Sequence, residues 1–368
     1  MKVVLFCHSL ASDWNHGNAH FLRGIARELL ARGHEVRSFE PRDGWSRTHL
    51  LEERGRAALD DYRRAFPELA PISTLYDLET LDLDAALDGA SLVLVHEWNE
   101  SELVRRIGLA RNHGSFRLLF HDTHHRAVTK PEEMERFDLS HYDGVLAFGA
   151  AVRDLYLDRG WANRAWTWHE AADTRLFQPR AAAREDDLVW IGNWGDGERS
   201  HELEEFLLLP ARALALRGSV YGVRYPPQGR AAVAASGLSY RGWLPNHRVP
   251  ALFARHAVTV HVPRQPYVEA LPGIPTIRVF EALACGIPLV SAAWDDAEGL
   301  FEPGDDFLVA RNAEEMASQL ERVLADDDLA RQLSEHGLRT IRARHTCAHR
   351  VDELLAIAAE VAPATVVA

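Results

Sequence analysis

"PGIPTIRVFEALACGIPLVSA" (residues 272–292) leads from two prolines and a glycine into an apolar run that holds one arginine and one glutamate. It breaks at Cys-Gly-Ile-Pro and resumes as "LVSA". Pro275 suits the first helical position, where a missing N–H costs nothing. Gly286 and Pro288 mark an end. The pattern predicts a short helix over 275–285 followed by a strand. First-turn amides of such a helix have no intrahelical partner and favour an anion. Arg278 lies one turn in, with Glu281 three residues on along the same side. At about 1.5 Å per residue, Glu281 stands about 7 Å beyond the bare amides, similar to the span from a diphosphate to the diol of its ribose. A carboxylate can accept hydrogen bonds from both hydroxyls of a diol. The ordinary alternative is a weak helix-surface ion pair between Arg278 and Glu281.

Working outward, apolar β-like runs alternate with helix-period stretches, the pattern of an α/β protein with parallel sheets. "KVVLFCH" (2–8) precedes the helix "AHFLRGIARELLARGHEV", which ends near Gly33, and "EVRSFEP" follows. "SLVLVHE" (91–97), "FRLLFHD" (116–122) and "YDGVLAFG" (142–149) read as further strands. A second series runs from "DLVWIGNWG" (187–195) through the helix "HELEEFLLLPARALALRG" to "GSVYGVR" (218–224), "VTVHVP" (258–263) and "PLVSA" (288–292). The polar stretch 169–186 reads as a linker. The expected fold is two doubly wound, Rossmann-like domains with a cleft between them, and ligands of such sheets bind beyond the carboxyl ends of the strands.

Composition narrows the function. The 368 residues are 47% hydrophobic and 26% charged, as in a soluble globular protein of about two domains. No apolar run approaches the ~20 residues of a membrane span, and "MKVVLFCHSL" reads as a first strand rather than a signal peptide. The net charge of −13 argues against nonspecific nucleic-acid binding. Lys2 and Lys130 are the only lysines, so a local anion site must use arginine, histidine or backbone N–H groups. Cys7, Cys285 and Cys347 are too far apart to suggest a disulfide framework or zinc knuckle, and a reducing, cytoplasmic setting is expected.

"IPTIRVFEALACGIPLVSA" resembles the donor-nucleotide segment of GT-B-fold retaining glycosyltransferases, the sucrose-synthase-like and phosphatidylinositol-mannosyltransferase-like group. It is most similar to a divergent, spore-coat-associated branch reading R-x-F-E-A-x-A-C-G. Three further stretches resemble that family in the right order. They are "GNAHFLRGIARELLARGHEV", then "YDGVLAFGAAVRDLYLDRG" with "HEAADTRLFQP", and "LSYRGWLPNHRVPALFARHAVTVHVP". The resemblance implies residues 1–172 as an acceptor-side domain and 173–345 as a nucleotide-sugar domain. Residues 346–368 would be a helix crossing back to the first domain.

In the family the glutamate at position 281 holds the ribose hydroxyls, and Thr276 and Ile277 are expected among the residues that bind the nucleotide-sugar donor. An arginine and a lysine normally follow the first strand of the second domain; here "GNWGDGER" places Gly192 and Asn193 near the first and Arg199 at the second. Arg278 is expected to supply the missing charge, since guanidinium binds phosphate bidentately. Arg224 is a further candidate, although a solvent-facing loop arginine explains it as well. Trp243 and Leu244 are expected beside the base. The first glutamate of the family's E-x7-E motif, which contacts the donor sugar, is Gly273 here, with Glu269 near enough to reach in.

In the first domain, Gly17 would allow close backbone approach to a phosphate or sugar. Asp13, Trp14, Asn15, His16, His96 and Glu97 are expected on the acceptor side, shaped by loops at 42–75 and 124–136. His121 matches a histidine beside the donor sugar. "HDTHH" also contains metal-ligand types in His121, Asp122, His124 and His125, but such clusters at strand ends are more often polar linings. The implied reaction is sugar transfer with retention from a UDP- or GDP-sugar to an unknown hydroxyl, with His121, Arg199 and Arg278 as catalytic candidates and no separate cofactor or metal. An epimerase or hydrolase of the same fold, or a non-catalytic nucleotide-sugar-binding protein, are the alternatives. Oligomeric state is left open.

Overall fold

Runs of β-branched and aliphatic residues with little polar alternation belong to parallel strands covered on both faces. Val3, Val4, Leu5 and Phe6, for example, are at most 2% exposed. The computed structural model describes residues 1–195 and 197–361. It divides into two units, Met1–Glu170 with Cys347–Ala368, and Ala171–Thr346. Residues 362–368 of the last expected segment lie outside the described residues.

The first unit holds β1 (Lys2–Phe6), β2 (Glu35–Pro41), β3 (Ser73–Tyr76), β4 (Leu92–His96), β5 (Arg117–Asp122), β6 (Gly144–Ala147) and β7 (Ala165–Thr167). Its seven-stranded sheet runs in the order β3-β2-β1-β4-β5-β6-β7, with every pair parallel. The register pairs Val4 with Val93 and His96 with His121. Strand order reverses between β1 and β4, so the loops after these strands diverge and leave a switch point at their carboxyl ends. The Cys347–Glu360 helix belongs to this unit: Arg32 reaches Asp352 at 2.5 Å, and Trp168 Nε1 donates to the Arg350 carbonyl.

The second unit holds β8 (Asp186–Ile191), β9 (Gly218–Tyr221), β10 (Ser239–Gly242), β11 (His256–His261), β12 (Leu289–Ala292) and β13 (Leu308–Ala310). The order β10-β9-β8-β11-β12-β13 is again all parallel, and its reversal lies between β8 and β11. One face packs Trp190, Val258, Val260 and Val290 against Leu203, Leu207, Met316 and Leu320. Both sheets follow the two doubly wound halves expected from the sequence.

Three local expectations are corrected. The stretch 42–75 is not one loop: Trp45–Arg54 and Arg56–Ala65 are helices broken at Gly55 (φ +66), followed by β3. Each helix buries only two side chains, Ser46 and Leu50 or Leu59 and Tyr62, too few to print an apolar period. The stretch 124–136 likewise contains the single turns Arg126–Thr129 and Pro131–Met134. The helix of the quoted segment begins at Ile277, not Pro275: Thr276 is extended (φ −81, ψ 158) and takes the N-cap position, and Pro275 lies outside. Gly286 closes it in the left-handed conformation (φ +65). In the second unit, Pro210 cannot donate to the carbonyl one turn back, and a π-helical turn over Glu204–Leu208 precedes it.

Candidate functional site

In the second unit the loop after β8 is held by contacts only glycine permits. A Cβ on Gly222 would stand 1.8 Å from the Gly192 carbonyl oxygen. Gly192 N–H donates to the Tyr221 carbonyl, and the Tyr225 hydroxyl donates to the Gly192 carbonyl at 3.1 Å. Arg199 then clasps this loop from below. Its Nη2 donates to the Asn193 carbonyl and to Asn193 Oδ1, both at 2.7 Å, its Nη1 donates to the Val262 carbonyl, and its plane lies 5.2 Å from the Trp190 ring. Arg199 is buried, and among the described residues no carboxylate pairs with it. Its Nε is buried without a partner. Burial first, then the neighbouring Arg264 and Arg278, depress its pKa to about 9. Arg264 reaches the same Asn193 Oδ1 at 3.1 Å and pairs with Glu198 at 2.7 Å. The cluster is a concentration of cationic donors at the carboxyl ends of β8 and β11.

The Ile277–Cys285 helix stands beside it. Thr276 makes no side-chain cap bond, so its side chain does not occupy the first-turn amides. Glu281 is fully buried; it accepts from Asn246 Nδ2 at 2.6 Å and from Arg278 Nη1. Arg278 Nε donates to the Ile191 carbonyl, tying the helix to the end of β8. The ion pair is therefore present, and of the first-turn amides Val279 N–H donates to the Thr276 carbonyl at 3.1 Å. Trp243 and Leu244 are half-buried in the loop after β10. Arg224 is exposed with φ +60. Glu269 does not reach inward: it is exposed at the end of a short helix and accepts from Gln265. Gly273 (φ +83) is instead crossed by Glu298, whose Cγ would lie 2.6 Å from a Cβ at that position.

In the first unit, histidines from three adjacent strand ends form a chain of ring contacts. His8–His16 centroids lie 4.8 Å apart, His16–His96 6.4 Å and His96–His121 5.1 Å. All four are buried. Burial, the largest cause throughout, drives His8 down to about 4, His121 to about 3, and His16 and His96 well below the ordinary value. His96 Nδ1 accepts from the Trp98 amide, so its Nε2 donates to Thr123 Oγ1, which donates to Glu97 Oε1 at 3.1 Å. Glu97 is fully buried and salt-bridged to Arg126 at 2.5 Å. Asp122 accepts from Tyr156 Oη, and burial, then Glu97, raise its carboxyl well above the usual range.

The loop residues divide in role. Asp13 pairs with buried Arg23 at 2.9 Å, which anchors the loop after β1 to the Ala19–Ala31 helix. Trp14 is buried and stacks on His49 at 4.6 Å. Asn15 takes φ +47, and Gly17 is exposed. The nitrogens and oxygens of His121, Asp122, His124 and His125 do not gather as a ligand set. Among the described residues the set whose atoms all lie within 4.8 Å is Glu302, Asp305 and His336.

Arg264, Glu298 and His261 escaped the sequence reading. His261 ends β11; its Nδ1 donates to Ser291 Oγ, which donates to the Ala292 carbonyl, and its buried Nε2 has no partner. A polar residue closing an apolar strand was the available signal for His261. Glu298 had none, because its contact with Gly273 depends on the path of the loop after β12.

Residues 199–356 match the family described as glycosyl transferase-like. No curated protein matches the sequence. Similar solved structures include a sucrose-phosphate synthase from Thermosynechococcus elongatus, with 16% identity, 98% of each chain covered and a TM-score of 0.66. Anabaena HepE in complex with UDP has 14% identity, 98% of this chain and 100% of that chain covered, and a TM-score of 0.66. T4 phage BGT with UDP and Mn2+ has 11% identity, coverage of 97% and 99%, and a TM-score of 0.61. Residues 199–356 are thus similar to the glycosyl transferase-like family, within a chain whose two halves together have the GT-B fold.

Proposed function

We propose that this protein transfers a sugar from a nucleoside-diphosphate sugar to a hydroxyl acceptor, with retention at the anomeric carbon. The observation that carries this reading is Arg199, a buried cation without a carboxylate partner among the described residues, flanked by Arg264 and Arg278 at the strand ends. An unpaired buried charge costs several kcal/mol, and a diphosphate would supply the missing counter-charge. Glu281 would hold the ribose beside it, and Trp243 and Leu244 the base. As the bond from the anomeric carbon to the diphosphate oxygen breaks, its electron pair goes to that oxygen, where preorganised cations stabilise the growing charge. The acceptor oxygen bonds to the same carbon and passes its proton to the departing phosphate oxygen. UDP is the favoured nucleotide, since the HepE and BGT structures hold it. Among the described residues no helix is long and apolar enough to cross a membrane, and buried cysteines support a reducing compartment.

The test incubates the protein with UDP- and GDP-sugars and follows nucleotide release with and without hydroxyl acceptors. Acceptor-dependent release, with the donor's anomeric configuration kept in the product by NMR, is expected. Release to water alone would make it a hydrolase, conversion of the sugar without release an epimerase, and binding without turnover a sensor or scaffold. Absence of nucleotide binding would end the reading.

A further inference from the structure

The first unit presents a site of a different chemistry from the arginine cluster, at the carboxyl ends of β1, β4 and β5. Its rings are polar but uncharged: His8, His16, His96 and His121 are buried and held neutral. Its fixed charges are balanced. Arg126 is paired with Glu97 at 2.5 Å and Glu133 at 3.3 Å, and Arg23 with Asp13 at 2.9 Å. Neither of these two arginines offers an anionic ligand an uncompensated charge.

The polar atoms left over are of both kinds. His16 hydrogen-bonds the Ser9 backbone through its other ring nitrogen, which leaves Nε2 a bare acceptor. Trp14 Nε1, two residues away, is a bare donor, and His121 Nε2 is also without a partner. Buried polar atoms without partners are uncommon and cost about 1–3 kcal/mol each. A hydroxyl both donates and accepts, so hydroxyl groups suit this set better than carbonyls or amines alone.

The large apolar side chain exposed in these strand-end loops is an indole, Trp98 at 38%. Trp98 lies on the same cluster, 6.0 Å from the His8 ring and 5.1 Å from His124, with Arg126 stacked 4.0 Å over it. A lipid acceptor would need aliphatic surface, which these loops do not expose. Flat aromatic area beside bare donors and acceptors matches a pyranose, which shows C–H groups on its faces and hydroxyls at its edge.

We infer that the first unit binds an uncharged carbohydrate as the acceptor, stacked on Trp98 and hydrogen-bonded to His16 Nε2. This rests on the proposed transferase reading, yet it can fail separately. The test is saturation-transfer NMR on the full chain without nucleotide, using methyl β-glucoside, maltose, diacetylchitobiose, glucose and glucose 6-phosphate, with UDP calorimetry on the same sample. At least one neutral sugar should receive saturation at its ring C–H protons, and glucose 6-phosphate should bind no tighter than glucose. Trp98→Ala should weaken the best sugar about tenfold, and His16→Leu about fivefold, with His16→Gln recovering part because its amide oxygen accepts. If Trp98→Ala loses its circular dichroism, Trp98→Phe replaces it with an expected loss of about threefold. Glucose 6-phosphate binding about tenfold tighter than glucose, no neutral sugar bound, or a folded Trp98 variant with wild-type affinity would each overturn the inference. UDP bound under those outcomes leaves the donor reading standing; UDP unbound removes that reading, whatever the sugars do.

Discussion

The two units share one architecture and furnish its functional edge in opposite ways. In the first, the loops after β1, β4 and β5 gather neutral histidines and indoles, and Arg126 and Arg23 are each matched by carboxylates. In the second, the loop after β8 gathers Arg199, Arg264 and Arg278, and among the described residues only the latter two have carboxylate partners. Same-signed charge concentrated at one strand edge selects a polyanion, whereas a balanced edge with unfilled donors and acceptors selects hydroxyls. The difference lies in which residues follow the strands, not in the sheets themselves.

The sharpest way to break this contrast is to collapse one edge alone. Gly222→Ala should destabilise the protein by about 3–5 kcal/mol in denaturant unfolding, because its Cβ would meet the Gly192 carbonyl at 1.8 Å. Wild-type stability would show that the β8 loop is free to move. Arg199→Met keeps the bulk and removes the charge. Nucleotide affinity by calorimetry should fall by about 2–4 kcal/mol while unliganded stability changes little, since the lost clasp is offset by removing an uncompensated buried cation. Lost stability with unchanged affinity would make Arg199 a clasp and nothing more.

Glu281→Ala tests the ribose role and should weaken nucleotide binding by about 1–3 kcal/mol. Equal affinity in a folded variant would reduce Glu281 to the partner of Arg278 and Asn246. The smallest effect concerns the neutral edge. A histidine depressed in the fold binds fewer protons there than when unfolded, so its neutral state is accommodated above the unfolded pKa and stability is lost as pH falls below it. For His121, depressed to about 3, the loss begins near 6.5 and continues towards 3. His121→Gln should therefore recover about 1 kcal/mol at pH 5.5 relative to its own effect at pH 7.5, measured by urea unfolding. Asp122, raised in the fold, acts in the opposite sense and is common to both proteins. Parallel pH curves would show that His121 is not held neutral.

Both sheets could be read from the sequence because parallel strands buried on two faces print uninterrupted apolar runs, as in "KVVLF" and "LVLVH". Gly286 was equally plain, since a left-handed cap leaves few other choices. The Trp45–Arg54 and Arg56–Ala65 helices were not, because each touches the core at two points. At the site, Arg278 and Glu281 were legible as neighbours three apart on one helix. Arg199 was visible as a residue, but its burial and its bonds to Asn193 and Val262 were not.

The chain's own periodicity and turn residues determined the alternation of strand and helix, the two halves, and the end of the short helix at Gly286, because these depend on contacts within a few residues. Tertiary structure alone decided charge balance and protonation. Whether an arginine meets a carboxylate, whether four histidines from separate segments touch, and whether Glu298 crosses Gly273 depend on long-range neighbours and on exclusion of water, which linear order does not encode.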